Sequence, residues 1–540
     1  MLRLSGQAAV AAALGAGCAR PAAGNKPARS ETGRVVGNPV GAQVGERVLA
    51  EGGNAVDAAI TAALAVCVTS PWLSGIGGYG GHMMIALAGG KKITSIDFNS
   101  TAPIAARDDM YPLDEKGEVN GRINQHGWLA VGVPGTLAGF QSALDRYGTR
   151  PFREAVQPAI QFARDGFVVA PGLATAIRGA QAQLKNEPGS ARLYLENGEP
   201  PQPGVTLRNP DLAKMLATLA GRNSVDSFYR GDIGSMIAHA IQKNGGLVSA
   251  ADMSAYRARE VSPLEMRWDD FRICTAPLTA GGLSVLEALG VLRELRWPRL
   301  STGSAALHAR VETLRTVWKD RLELLGDPDH AAVPLKRLRS TAHARELAGK
   351  IEAAVKTQRP LAVDLPKNSA SGTTNLSAVD REGNMVAVTF TQGGAFGAQV
   401  TVDGLGLTLG HGMSRFNPRA GHPNSPGPRK RPLNNMCPTI VLRGGRPVFA
   451  VGGAGGVKIP NTIFDILAAY VVKGGSLEEA VAAPRVHTTG MLDLTLERAW
   501  PQAEQDHLKG MGFKVSAGSG ARASAVAFDP ATGRCSGAER

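Results

Sequence analysis

Residues 368–392 read NSASGTTNLSAVDREGNMVAVTFTQ. Leu376 with Ala378 and Met385 with Ala387 keep the two-residue alternation of strands, and Asp380-Arg381-Glu382-Gly383-Asn384 between them is turn chemistry. The stretch therefore predicts a β-hairpin. Its start carries more than a hairpin needs. Ser371-Gly372-Thr373-Thr374 sets a glycine directly before two hydroxyl residues at the mouth of a strand. Glycine reaches backbone angles closed to other residues, which predicts that the Thr373 hydroxyl can be brought against the Gly372 carbonyl. An N→O acyl shift followed by hydrolysis would cut the chain there and free the Thr373 α-amino group. That amine titrates near ~7.7–8.0, so it can serve as base for its own hydroxyl near neutral pH. The plain alternative is that two threonines merely open a strand, where threonine is common.

The rest of the chain sets the bounds. It has 540 residues, 43% hydrophobic and 19% charged, an ordinary globular balance that exceeds one small core. Fifty-nine basic and 46 acidic side chains give a formal charge of +13. The densest basic spots, Lys336-Arg337 with Arg339 and Arg429-Lys430-Arg431, have no interleaved aromatics, which argues against nucleic-acid binding. A solvated basic surface with some attraction for anionic substrates is the simpler reading.

Met1-Leu2-Arg3 and the Ala-rich run from Ala8 to Gly17 have the shape of a short secretion signal, too short to span a bilayer. Residues 1–30 are accordingly expected to be a signal-like or flexible N-terminus, with export to a periplasm or secretion, a cytoplasmic protein being the alternative. Membrane attachment is expected only if Cys18 is lipidated, and Gly15 stands where a lipoprotein box wants a larger aliphatic residue. Cys67, Cys274, Cys437 and Cys535 are scattered without C-x-x-C or His partners at zinc spacing, so neither a disulfide framework nor a metal site is indicated.

Gly52-Gly53 ends one helical pattern, and Asn54 caps the next with Asp57 in its first turn. Val56, Ile60, Leu64 and Cys67 mark one buried face. The Gly-rich run Ser74 to Gly81 follows a helix and opens an apolar run, Met83 to Leu87. A dinucleotide loop has the opposite order, so no nucleotide cofactor is expected. Leu307, Val311, Leu314, Trp318, Leu322 and Leu325 describe an amphipathic helix ended by Gly326. Its His308 and Glu312, one turn apart, lack further ligands and are read as structural. The segment from about Lys350 to Ser371 is polar and aperiodic, an exposed, cuttable linker. Beyond the hairpin, Ile440-Val441-Leu442 and Pro447 to Val451 predict strands around Gly444-Gly445, and Ile463, Phe464, Ile466, Leu467, Tyr470 and Val471 predict a buried helix. Ser476 and Glu479 form a capping box for the next helix. Hairpins with amphipathic helices suggest a layered α/β sandwich.

Several of these stretches resemble the γ-glutamyltransferase family of N-terminal-nucleophile hydrolases. The likeness of residues 373–389, TTNLSAVDREGNMVAVT, is to the start of that family's small subunit. It continues through residues 52–66 and 74–81, IDFNSTAP (96–103), VGVPGTLAGF (131–140), AADMSAYR (250–257), TAPLTAGG (275–282) and KRPLNNMCPTIV (430–441). The resemblance implies a four-layer αββα fold built by two chains after self-cleavage between Gly372 and Thr373. These would be a large subunit, residues 31–372, and a small catalytic one, residues 373–540, forming a heterodimer that in turn can pair. It implies Thr373 as nucleophile and base, Thr391 as its hydrogen-bonding partner, and Gly455 and Gly456 as oxyanion donors. No cofactor or metal is implied.

The substrate grip departs from the family's pattern. The family holds the glutamyl α-carboxylate with an arginine where this chain has Asn99, and with a serine pair where it has Asn434-Asn435. It holds the α-ammonium with Asn, Gln and Asp where this chain has Gly393, Gly412 and Arg415. The expectation is a threonine amidohydrolase or acyltransferase of γ-glutamyltransferase type. The alternatives are a dedicated hydrolase of another amide, of oxamate amidohydrolase or cephalosporin/glutaryl acylase type, and, from another class, a non-catalytic scaffold. With Arg415 replacing an acid, the acyl group is expected to carry a carboxylate without an adjacent ammonium.

Overall fold

The hairpin forms as its residues dictate, with strands Thr374–Asp380 and Met385–Thr391 paired antiparallel from Val379 opposite Met385 to Thr374 opposite Phe390. The computed structural model describes residues 32–297, 303–363, 372–497 and 500–540. The N-terminal signal-like segment, Cys18 and Ser371 lie outside the described residues. In the turn, the Asp380 carboxylate accepts N–H groups from Glu382 and Asn384, and also the N–H of Ala55 at 2.9 Å. The turn that closes the hairpin thereby tethers the start of the helix packed over it.

Both strands are buried on both faces. Leu376, Ala378, Val386, Val388 and Phe390 meet a helical layer, while Val379, Met385 and Ala387 meet a second sheet. The first sheet has the order Gly33–Val36, Thr374–Asp380, Met385–Thr391, Gly80–Ala86, Ile93–Asp97, Arg259–Val261. The second runs Arg534–Glu539, Arg522–Asp529, Arg446–Ala454, Thr439–Arg443, Phe271–Thr275, Leu264–Trp268. Every neighbouring pair is antiparallel. Helices cover the outer face of each sheet around separate cores, giving the αββα layering. Strands from before and after Gly372 enter both sheets. Neither part completes a sheet without the other.

Local signals hold. Asn54 and Asp57 form a complete capping box for Ala55–Thr69, and Ser476 with Glu479 does the same for Leu477–Ala482. Three expectations need correction. The Ala55–Thr69 helix is buried on every side and not on one face, because helices flank it as well as the sheet beneath. The segment after Lys350 is not all linker: a helix spans Thr341–Thr357, burying Leu347, Ile351 and Ala354. In the helix Ser304–Leu324 the buried stripe passes through Arg321, with Leu322 only partly covered. His308 and Glu312 are buried there, and Glu312 takes the Arg315 guanidinium at 2.8 Å on both oxygens, the structural role expected.

Candidate active site

Thr373 stands one residue ahead of its strand, and its Oγ1 donates to the Gly372 carbonyl at 2.6 Å. Thr391, at the far end of the partner strand, donates its own Oγ1 to the same carbonyl at 2.7 Å. The Gly393 N–H donates to Thr391 Oγ1 at 2.8 Å, which orients that hydroxyl. One peptide carbonyl thus accepts two buried hydroxyls. The loop after the Ala55–Thr69 helix closes over this end: Leu73 O accepts the Gln392 N–H, and Thr374 Oγ1 donates to Ser74 Oγ. A cavity of about 180 Å³ opens here, lined by Trp72, Leu73, Gly372, Thr373, Gly455 and Arg522 among others.

Gly372 departs from the expectation. Its φ lies outside the left-handed region, and an added Cβ would first meet Leu73 Cδ2 at 3.3 Å. Close quarters, not an unusual backbone angle, are what glycine serves at this position.

Gly455 and Gly456 follow the Arg446–Ala454 strand of the second sheet, and Gly455 lines the same cavity as Thr373. Both have positive φ, +147° and +61°. A Cβ on Gly455 would come within 2.9 Å of Ala521 Cα, so glycine is required there. Among the described residues neither N–H finds a protein acceptor, leaving two free backbone donors at the end of this strand.

The expected substrate-contacting positions do not line that cavity. Asn99 is fully buried, and its Nδ2 donates to Thr279 Oγ1 and Pro432 O at 2.7 Å each, while its Oδ1 has no donor. The Asn434 side chain is committed as well, its amide to His82 and its Oδ1 to the Met436 N–H. Asn435 Oδ1 accepts from Arg321 at 3.1 Å. Gly393, at φ +101°, has the His411 ring where its side chain would be, with Cδ2 1.9 Å from an ideal Cβ. Gly412 is similarly filled by Ser100 Oγ, 2.5 Å from an ideal Cβ. Arg415 lines a different cavity, of about 360 Å³, with Gly394, His411, Arg122, Gln125 and His126.

Two residues escaped the sequence reading. His411 donates Nδ1–H to the Gln125 carbonyl at 2.9 Å and accepts the Gly394 N–H on Nε2, which fixes its tautomer. Burial, then the charges of Arg415 and its neighbours, push its pKa down to about 4, so it stands neutral beside Gly393 and Gly394. Arg321 is 2% exposed and among the described residues has no carboxylate partner. Its guanidinium is held by Asn434 O and Asn435 Oδ1, and Nη1 is unpartnered. Burial pushes it down to about 10, and the nearby Arg415 charge acts in the same direction. Arg415 likewise has no carboxylate among the described residues, and its Nε is buried without a partner. A charge on the apolar stripe of Leu314, Trp318 and Leu325 was the one signal that pointed to Arg321.

Comparisons with known proteins bear on the family and the fold. Residues 41–539 match the family model described as gamma-glutamyltranspeptidase. The glutathione hydrolase proenzyme of Escherichia coli (strain K12) is 36% identical over 509 residues, covering 91% of this chain and 87% of that protein. The acylase ACY 1 proenzyme of Pseudomonas sp. (strain SE83) is 36% identical over 515 residues, covering 94% and 91%. The crystal structure of cephalosporin acylase from Bacillus halodurans superposes with a TM-score of 0.84 at 24% identity, over 96% of each chain, a likeness of fold.

Proposed function

Because the chain belongs to the γ-glutamyltranspeptidase family, we propose that it cuts itself between Gly372 and Thr373 and then works as a threonine amidohydrolase or acyltransferase. The observation that carries this is the Gly372 carbonyl with both threonine hydroxyls on it. In maturation Thr373 Oγ bonds to the Gly372 carbonyl carbon while the Gly372–Thr373 C–N bond breaks. The freed nitrogen takes a proton and the acyl group becomes an ester. Thr391 donates to the oxygen that gains charge in this step. Water then hydrolyses the ester to a Gly372 carboxylate and the Thr373 hydroxyl.

In turnover the Thr373 amine takes the hydroxyl proton as Oγ attacks the substrate amide, and returns it to the leaving amine. The free N–H groups of Gly455 and Gly456 are suited to the tetrahedral oxyanion, one such donor being worth ~2.7–4 kcal/mol. The acyl-enzyme then passes its acyl group to water or to an amine. Intact-mass measurement of purified protein tests the proposal: wild type should give two chains meeting at 372/373, and Thr373→Ala one.

For the acyl group, Arg415 and Arg321 without carboxylates, and Gly393 occupied by His411, favour an acyl chain carrying a carboxylate and no adjacent ammonium. A guanidinium can take such a carboxylate through two parallel hydrogen bonds. The buried, donor-free Oδ1 of Asn99 favours a second reading, an ordinary γ-glutamyl group whose ammonium it would accept. Glutaryl and γ-glutamyl amides of one amine separate the two. The Met1–Gly17 pattern supports export before maturation, which cell fractionation would check.

A further inference from the structure

Three helices on the outer face of the second sheet, Gly282–Glu294, Ser304–Leu324 and Thr341–Thr357, pack on one another within one core. Where they meet, each contributes one side chain able to ligate a metal: Glu287, Asp320 and His343. His343 Nε2 lies 3.1 Å from Glu287 Oε1 and 3.0 Å from Asp320 Oδ2. One ligating atom from each falls within 4.8 Å of the other two, and among the described residues this is the one such group of His, Cys, Asp or Glu. None of the three touches the threonines or the oxyanion glycines.

The charges do not balance as they stand. Glu287 and His343 are 2% and 4% exposed, and Asp320 15%. Among the described residues the His343 imidazole is the one ion-pair partner of either carboxylate. Two carboxylates this close leave net negative charge beside one imidazole, and the Arg337 charge that reaches Glu287 forms no ion pair with it among the described residues. Glu287 Oε2 is moreover buried with no hydrogen-bond partner, a lone pair left unused in a nearly closed site.

We propose that Glu287, Asp320 and His343 form a structural site for a divalent first-row transition metal, zinc fitting best. One imidazole with two carboxylates suits zinc, whereas calcium and magnesium prefer all-oxygen shells of six or more ligands. Ligands at ~2.0–2.2 Å around a tetrahedral zinc stand about 3.3–3.6 Å apart, so the side chains open by a few tenths of an ångström to admit it. The fourth position falls on the Asp320 side, where solvent reaches. The ion neutralises both carboxylates and clamps three helices. It also pins the turn carrying Arg321, the next residue after Asp320, which reaches Asn434 and Asn435 at the acyl end. The threonine chemistry does not use it.

The test uses the full-length protein without a histidine tag, stripped with a chelator and dialysed. Zinc is titrated against a chromophoric competitor. One equivalent per chain should bind, and His343→Gln and Glu287→Gln should each weaken binding at least ~100-fold. Thermal midpoints should rise with zinc in wild type and stay put in the variants. Cobalt should give wild type the visible bands of a tetrahedral site, displaced by one equivalent of zinc, a readout that needs no variant to fold. Absence of stoichiometric zinc or cobalt binding in wild type, or equally tight binding by a folded His343→Gln protein, overturns the proposal.

Discussion

The two ends of the candidate site are built on different principles. At the proposed nucleophile end, Thr373 and Thr391 offer hydroxyls on one carbonyl and Gly455 and Gly456 offer backbone N–H groups, all set by strand ends. At the proposed acyl end, side chains from distant segments would decide what fits, and at Asn99, Gly393, Gly412, Arg415, Asn434 and Asn435 this chain departs from the pattern that the family resemblance implies. Asn99 and Asn434 are drawn into internal hydrogen bonds, His411 has taken the space beside Gly393, and two arginines near one another have no acidic partner among the described residues. Chemistry held by backbone geometry survives substitution around it, whereas a pocket made of side chains is free to drift. Two similar relatives carry different names, one a glutathione hydrolase proenzyme and one an acylase proenzyme.

That contrast can be broken most sharply at its fixed end. Thr373→Ala should remain one chain and lose at least ~10⁴-fold in kcat/KM, since removing a nucleophile removes the step it performs. Intact mass and an amidase assay check this together. Gly455→Ala should come next. Its Cβ has Ala521 at 2.9 Å and a φ of +147° to fight, so the N–H must shift off the oxyanion. A loss in kcat of ~10²–10³-fold is expected, read on protein already matured.

At the changed end the effects are smaller and fall on stability. His411 has its pKa lowered to about 4 from the usual 6.5, so the unfolded chain binds more protons between those values. Stability should therefore be full above about pH 6.5 and fall as the pH drops toward 4, by at most about 3 kcal/mol from this residue. Denaturant midpoints of wild type and His411→Gln across that window measure it, the variant showing the shallower slope. Gly393→Asn, which restores the family's side chain, should destabilise by roughly 2 kcal/mol through collision with the His411 ring. His411→Ala in the same chain should recover part of that loss, a non-additivity expected of neighbours.

How much of this was legible in the sequence follows from how local each feature is. The hairpin and the Asn54–Asp57 and Ser476–Glu479 boxes are written in consecutive residues and formed as read, while at the Thr373 motif the expected hydroxyl-to-carbonyl contact formed without the expected Gly372 backbone angle. The full burial of Ala55–Thr69 was not legible, because small alanines on its outer faces look neutral until other helices cover them. The Thr341–Thr357 helix hid for a related reason, its stripe resting on His343, Ala344 and Ala348 as much as on leucine and isoleucine. Gly372 invited an explanation from backbone freedom where crowding by Leu73 is the relevant fact. His411 left no local trace, since its role depends on a glycine eighteen positions earlier in the chain. The Glu287, Asp320 and His343 cluster is spread over three helices with no spacing to betray it.

The central claim is that the reaction centre is retained while the acyl pocket has been rebuilt for a carboxylate without an ammonium. The most direct test compares glutaryl and γ-glutamyl p-nitroanilides, identical except for that ammonium, by kcat/KM on matured wild-type protein. If the acyl group reaches the cavity that Arg415 lines, an ammonium there would meet a like charge, so the glutaryl compound should be favoured by on the order of tenfold or more, equivalent to ~1.4 kcal/mol or greater. A preference for the γ-glutamyl compound would contradict the account and return Asn99 Oδ1, not Arg415, to the centre of acyl recognition.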